Sequence, residues 1–441
     1  MSVPADGVVD PTTLPRDLAH VWHPYTPLDR RATTPPLHVV AADGPWLTLA
    51  DGRRLLDGIG SWWVSVLGHR HPRVMDALHR QLDVLPHCIM AQTTHTPAAD
   101  LAWRLCRLAP PGLSRVFYSD NGSTAVEVAI RAAFQACRQR GEPERRLFVT
   151  FDGAYHGDTL GAVSVGGLEV FHGPLRSLTF ESLRVPSPAG GPGAEAACLE
   201  ALAALEGPWG DQVVGLVLEP LVQGAAGMRM HSSAFLQAVR AWCDRTRAFW
   251  IADEVFTGFG RTGTLFACEQ AQVSPDLLCL SKGLSGGTLP FGATLVRDRV
   301  YEAFAGGADR AFLYGHSFAG NPLGCAAALA VLDAFEHDGV LAHARTHLHP
   351  RMEAARDHLA GLPHVRNART LGMILAAEVE VGATGYGGLT GSRLADEAVA
   401  RGLLLRPLGG TAYLTPALTL SPDELDRMLD RFCDTVEACA P

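Results

Sequence analysis

Lys282 is the only lysine in a chain whose lysines and arginines together number 37. Surface salt bridges, stem packing and solubility are all served by arginine, whose guanidinium cannot lose its proton in a protein. A primary amine can lose its proton, and the neutral amine attacks carbonyl carbons. The solitary amine therefore points to Schiff-base chemistry. Its flanks agree, since an apolar run, Leu277 to Leu280, precedes it and a glycine-rich loop, Gly283 to Gly287, follows. That places the amine at the carboxyl end of a buried strand, where open α/β sheets bind their ligands.

A second constellation is Ser119-Asp120-Asn121-Gly122-Ser123-Thr124, directly ahead of the amphipathic run Ala125 to Gln135. A strand that ends in small, hydroxyl-bearing residues before a helix offers unpaired N–H groups and the positive helix end to a phosphate. Taken alone, Ser123 or Thr124 could equally be a helix cap. Beside a Schiff-base lysine, the segment becomes the expected phosphate cup of pyridoxal 5′-phosphate (PLP). Such a cofactor needs a carboxylate against its pyridine nitrogen, so that the protonated ring can accept a carbanion's electrons. Asp253, after the apolar run Phe249 to Ala252, is the candidate; a turn or helix cap is the alternative for Asp253 and Glu254.

These residues need a scaffold that brings strand ends together. Apolar strands are expected at Val116–Ser119, Leu147–Phe151, Val213–Leu218, Phe249–Ala252, Leu277–Leu280 and Gly292–Val296, alternating with helical patterns. Alternation of this kind implies an α/β fold with a mostly parallel sheet covered by helices. Near the start, Trp46–Ala50 and Arg53–Leu56 should pair around the Asp51-Gly52 turn, and Pro186–Ala197 reads as a surface loop. The last hundred or so residues carry helices and a few short strands. The expected layout is a large domain over 71–340, with a small α+β domain built from 1–70 and 341–441.

Composition narrows the class. With 47% hydrophobic and 19% charged residues, the chain can bury a large core, and a net charge of −9 argues against a nucleic-acid partner. Residues 1–30 contain no apolar run with basic flanks, and no uninterrupted apolar stretch of about 18 residues occurs, so neither export nor a membrane partner is expected and the cytoplasm is the expected compartment. The ten cysteines are scattered without a CxxC pair and read as reduced, mostly buried residues. His69 and His71 lack a downstream carboxylate or cysteine partner, so no metal is expected.

The stretch from Asp253 to Gly263, DEVFTGFGRTG, with Lys282 after it, resembles the signature of the class III, fold-type I PLP-dependent aminotransferases. WHPYT from Trp22, SWWVSVLGHRHP from Ser61, YHGDTLGAVSVG from Tyr155, EPLVQGAAGM from Glu219 and LRPLG from Leu405 extend the likeness from about residue 20 to the C-terminus. Within that family these segments are most similar to the diaminononanoate synthases of biotin synthesis, which transaminate 8-amino-7-oxononanoate. The resemblance implies that Lys282 is covalent anchor and general acid/base, that Asp253 pairs with the pyridinium, and that Tyr155 lies against the ring. Gly122 and Ser123 would hold the phosphate, completed by Ser317 of a second subunit, so a homodimer with shared active sites is implied. Tyr25, Trp62 and Trp63 would wall an apolar substrate pocket near Gly315, with Arg406 gripping the keto acid's carboxylate. Asp158 and Arg261 would complete the substrate entrance, with Glu219 nearby.

Two positions depart from the family pattern. Many members carry glutamine where Phe256 stands, and phenylalanine cannot hydrogen-bond a cofactor oxygen; the diaminononanoate synthases accept an apolar residue there. Gly315-His316-Ser317 stands where members using S-adenosylmethionine usually have glycine-proline-threonine, and it looks more like relatives that use lysine. Ser164–Phe171 and Gly283–Pro290 lean the same way, whereas Tyr25, Trp62 and Trp63 lean toward S-adenosylmethionine. The expected donor is S-adenosylmethionine, with lysine as the alternative. Another ω-amino-acid or diamine transaminase and a PLP-dependent isomerase stay open. A PLP-binding regulatory protein is disfavoured, because no DNA-binding module is appended.

Overall fold

The computed structural model of the protein describes residues 10–28, 34–380 and 389–440. Its strands are β1 Val39–Asp43, β2 Trp46–Leu49, β3 Arg54–Asp57, β4 Leu113–Ser119, β5 Leu147–Phe151, β6 Ser182–Val185, β7 Val213–Leu218, β8 Val222–Gln223, β9 Arg229–Met230, β10 Phe249–Asp253, β11 Leu277–Leu280, β12 Gly292–Arg297, β13 Val365–Leu371, β14 Ile374–Val379, β15 Leu403–Leu404 and β16 Thr411–Leu414. Seven of them form the central sheet in the order β4-β12-β11-β10-β7-β5-β6. Every residue of β5, β7, β10 and β11 is buried. That is the behaviour of near-continuous apolar strands covered on both faces by helices.

The sheet is parallel except for β12, which runs antiparallel to both β11 and β4. Within this sheet one strand lies outside the expected set: β6 pairs with β5 from Phe148↔Ser182 to Phe151↔Val185 at the sheet edge. Its sequence, Ser-Leu-Arg-Val, is too short and polar to signal a strand by pattern. Parallel register decides the functional layout, because Asp253 pairs with Cys279 and so lies beside the end of β11, three residues before Lys282. The carboxyl ends of β4, β5, β7, β10 and β11 thus open on the same edge of the sheet.

A four-stranded sheet, β1-β2-β3-β15, joins the two ends of the chain, with β15 parallel to β3 through Leu403↔Leu56. The expected hairpin is present around Asp51-Gly52, where Gly52 takes φ +84. A three-stranded antiparallel sheet, β13-β14-β16, lies in the C-terminal part. All ten cysteines are free, and most are buried. Among the described residues no helix is long and apolar enough to cross a membrane.

Candidate active site

Beyond β11 the backbone turns sharply. Lys282 itself has φ +43 and opens a 3-10 turn, Lys282–Ser285, closed by Gly286 and Gly287 at φ +62 and +76. The Ser281 hydroxyl donates to the Phe291 carbonyl at 2.7 Å and pins the strand end. The turn aims the amine into a cavity of about 700 Å³, with Nζ 4.7 Å from the centre of the Trp63 ring and 5.9 Å from that of Phe256. Loss of solvent among these rings lowers the amine's pKa to about 8, against the opposing pull of the Asp253 and Glu219 carboxylates. An appreciable neutral fraction therefore exists near neutral pH, which is the state a nucleophilic lysine requires.

Across the cavity, Asp253 ends β10 with its carboxylate buried. Val255 N–H donates to Oδ1 at 3.0 Å, and His156 Nδ1–H donates to Oδ2 at 2.7 Å. His156 is also buried, and its Nε2 has no hydrogen-bond partner among the described residues. In the sequence the Tyr155-His156-Gly157 segment points to a role for the tyrosine alone. The signal for His156 was its position in that motif, and it takes on meaning only when β10 is placed beside the loop after β5.

The third wall is the start of the helix Gly122–Gln139. Here the cap is Asn121, neither Ser123 nor Thr124: Asn121 Oδ1 accepts from Thr124 N–H at 2.9 Å while Thr124 Oγ1 accepts from Asn121 N–H at 3.1 Å. The N–H groups of Gly122 and Ser123 lie ahead of the first intrahelical bond, so the helix supplies them no acceptor. Ser123 Oγ instead accepts from Thr159 N–H at 3.0 Å and pairs with its hydroxyl at 2.8 Å. Close approach makes glycine necessary here. A Cβ on Gly122 would lie 2.6 Å from Val255 Cγ1, and one on Gly157, at φ +116, would lie 2.3 Å from Ser123 Oγ. Amine, buried carboxylate and anion-binding helix start thus share one cavity wide enough for a small aromatic ring, and the set fits PLP.

A second chamber of about 420 Å³ adjoins the first and shares Lys282, Trp63, Tyr155 and Asp158 with it. Tyr155 OH donates to Asp158 Oδ2 at 3.0 Å and lies 2.9 Å from Tyr25 OH, which contacts the same carboxylate oxygen. Burial, helped by these two neighbours, pushes the Tyr155 phenol well above its ordinary pKa, so it stays a hydrogen-bond donor. The Arg406 guanidinium lies 4.3 Å over the Trp62 ring and donates weakly to the Tyr25 carbonyl at 3.4 Å. Its Nε is buried without a partner among the described residues. An aromatic slot with a phenol–carboxylate pair on one side and an incompletely satisfied arginine on another suits a long apolar substrate with polar ends.

Trp62 and Trp63 reach this chamber from an unusual backbone. Gly60, Ser61, Trp62 and Trp63 have φ of +53, +46, +66 and +75, a left-handed helical turn. Each non-glycine residue there costs about 1–2 kcal/mol. Glu219, at the end of β7, accepts from the N–H groups of Tyr155 at 3.1 Å and Gly224 at 2.9 Å, and burial raises it to about 7.

The structure gathers Tyr25, Trp62, Trp63, Gly122, Ser123, Tyr155, Asp158, Asp253 and Lys282 around these two chambers, with Arg406 stacked on their wall. Gly315 and Ser317 are exposed and line neither chamber. Arg261 departs from its expected place at the substrate entrance. It is fully buried and donates to the Pro416 carbonyl at 2.6 Å and the Met373 carbonyl at 3.3 Å, so its charge ties the segment after β10 to the C-terminal part of the chain.

The geometry can be set beside known proteins. A family profile described as aminotransferase class-III matches residues 28–436. The adenosylmethionine-8-amino-7-oxononanoate aminotransferase of Geobacter sulfurreducens is 44% identical over 94% of this chain and 95% of its own length. The enzyme of the same name from Synechococcus elongatus is 44% identical over 95% and 98%. Among solved structures, the adenosylmethionine-8-amino-7-oxononanoate aminotransferase of Methanocaldococcus jannaschii superposes with a TM-score of 0.91 at 32% identity, covering 96% of this chain and 98% of that one. An amine transaminase from an uncultivated Pseudomonas species, solved in its PLP-bound form, superposes with a TM-score of 0.89 at 32% identity, over 96% and 99%.

Proposed function

The chain belongs to the class III aminotransferases, a PLP-dependent family, and on that footing we propose that it transfers an amino group to 8-amino-7-oxononanoate, giving 7,8-diaminononanoate for biotin synthesis, with S-adenosylmethionine as donor. The observation that carries this reading is the junction of the two chambers at Lys282. A lysine tuned to about 8 stands where a cofactor cavity with a buried carboxylate meets an aromatic slot with an arginine on its wall.

PLP, when bound, supplies a carbonyl for amines and a protonated ring that accepts the electrons of a carbanion. The rest belongs to the chain. Asp253 would hold the proton of the ring nitrogen, and the buried His156 N–H keeps that carboxylate in one orientation. Gly122 and Ser123 offer their N–H groups to the phosphate. Lys282 would hold the cofactor's carbonyl carbon and carry the proton of the substrate's amine-bearing carbon, a task suited to a group with a pKa near working pH. Tyr155, held by Asp158 and Tyr25, would cover the ring and donate to substrate, and Trp62 and Trp63 would exclude water from the methylene chain. Arg406 offers paired N–H donors to the keto acid's carboxylate.

Ser317 completes the phosphate site of a second subunit in this reading, and the protein works as a cytoplasmic homodimer. Support comes from exposed apolar side chains close to it in the chain: Leu313 is 86% exposed and Phe318 61%, surfaces that a second copy would cover.

Incubation of the PLP-loaded protein with 8-amino-7-oxononanoate and S-adenosylmethionine, read by mass spectrometry, should yield 7,8-diaminononanoate. Product with lysine alone would transfer the donor assignment to lysine, which the Gly315-His316-Ser317 segment favours. Turnover of 4-aminobutyrate or a diamine, with 8-amino-7-oxononanoate untouched, would overturn the acceptor.

A further inference from the structure

The left-handed turn that carries Trp62 and Trp63 needs something to hold it, because relaxation to right-handed or extended backbone is open to every residue in it except through loss of contacts. Its own hydrogen bonds are few: Trp63 N–H donates to Ile59 O at 2.7 Å, and the N–H groups of Val64 and Ser65 donate to Gly60 O at 2.9 and 3.0 Å. Two side-chain ties, from the turn and from the loop after it, meet at Asp57, the last residue of β3, whose side chain is buried. Ser61 Oγ–H donates to Asp57 Oδ2 at 2.7 Å, and His69 Nε2–H donates to the same oxygen at 2.9 Å. The carboxylate therefore links the end of a strand, the first side chain of the turn and the loop that follows it. From the opposite side, Trp63 Nε1–H donates to Tyr413 OH at 3.1 Å.

A second observation sets Asp57 apart from an ordinary buried acceptor. Its other oxygen, Oδ1, has no hydrogen-bond partner among the described residues, and neither do Nε and Nη2 of Arg261. The field of Asp57 opposes the loss of solvent around that fully buried guanidinium. Burying a half-satisfied carboxylate is unfavourable, a cost that the folded protein carries here alongside the bonds the other oxygen makes. What they maintain is the wall of the substrate chamber.

We propose that Asp57 and His69 are a positioning pair for substrate binding: together they hold Gly60–Trp63 left-handed, and so keep Trp62 under Arg406 and Trp63 against Lys282. The pair touches no reacting atom. Without its acceptor, Ser61 loses its tether, the turn relaxes, and Trp62 leaves its place 4.3 Å beneath the guanidinium that the acceptor's carboxylate needs. Affinity for substrates falls while the proton transfers, run by groups on β10 and β11, persist. This inference deepens the proposed function and rests on it for the identity of the substrates.

The test compares removal with conservative replacement in the full-length PLP-loaded protein. Asp57→Ala should raise KM for both substrates about tenfold or more, with kcat changed less than about threefold. Asp57→Asn keeps an oxygen acceptor and should stay within about threefold of wild-type KM. His69→Leu should follow Asp57→Ala, and His69→Gln, which keeps an N–H donor, should follow Asp57→Asn. Near-ultraviolet circular dichroism of the cofactor-free protein, differenced against Trp62→Phe, reports the turn without substrate and should lose the Trp62 band in Asp57→Ala and His69→Leu. Unchanged KM and band in the removing variants would overturn the proposal, as would kcat falling with KM intact, or asparagine faring no better than alanine. If Asp57→Ala does not fold, the His69 pair decides. A lost Trp62 band in a protein whose wild type ignores 8-amino-7-oxononanoate would sink the proposed function and leave the positioning role standing.

Discussion

The two chambers that meet at Lys282 are built on different principles. The cofactor side rests on regular structure: Asp253 and Lys282 sit at the ends of adjacent parallel strands, and the proposed phosphate cup is a capped helix start. The substrate side is irregular, for Tyr25, at φ +51, and the left-handed Gly60–Trp63 turn are held by side-chain bonds to Asp158 and Asp57. Backbone hydrogen bonds repeat and give positional precision without special side chains. A strained turn stays in place only while particular neighbours grip it. The reaction is thus anchored where geometry is cheap to maintain, and substrate choice where a few substitutions can remodel the wall.

Substitutions on the two sides should separate accordingly. The largest effect belongs to the cofactor side: Lys282→Ala should lower kcat by about 10⁴-fold or more, because one residue is lost as both nucleophile and proton carrier. Thermal melting of the cofactor-free variant should stay at or above wild type, since burial disfavours this ammonium. Asp253→Asn should cost about 10²–10³-fold in kcat with substrate KM little changed, checked by steady-state kinetics. If KM rose instead, the division between chambers would fail. On the substrate side, Arg406→Lys should raise KM for the keto acid by about 10–100-fold and leave the donor half-reaction less affected, because a point charge replaces a planar fork.

The smallest effect is the most diagnostic. The rate at which cofactor-free protein captures PLP should rise with pH through about 8, where Lys282 becomes neutral, and not through the range of an exposed lysine. Glu219→Gln removes a carboxylate that favours the ammonium, so the midpoint should move to lower pH. An upward move would show that Glu219 acts on the amine in some other way. The linked stability has the matching sign. With the folded pKa of Lys282 below its unfolded value, the folded protein should gain stability as pH rises from about 8 toward the ordinary lysine range, measurable by denaturant titration of the cofactor-free form.

The legible parts of the chain are those with local signals. Apolar runs marked β5, β7, β10 and β11, and the Asp51-Gly52 turn marked its hairpin. Edge strand β6 escaped because Ser182 and Arg184 break any apolar pattern, and its strand character arises only through pairing with β5. Helix capping falls to Asn121 because its side chain, and not that of Ser123, reaches forward to accept from Thr124 N–H in the first turn. Arg261 looked like a substrate contact and is a buried strut, since nothing local says that the carbonyls of Met373 and Pro416 converge on it.

A lone amine after an apolar strand, an aspartate after another and a glycine–serine helix start determined, from residue types and spacing alone, that this chain handles an aldehyde cofactor. Those are one-dimensional facts, because strand ends and helix starts are local. Only the tertiary structure decided that His156 orients Asp253, that rings and burial bring Lys282 to about 8, and that Asp57 grips a left-handed turn. Each of these depends on desolvation or on contact between segments far apart in sequence, and neither quantity exists until the chain has folded.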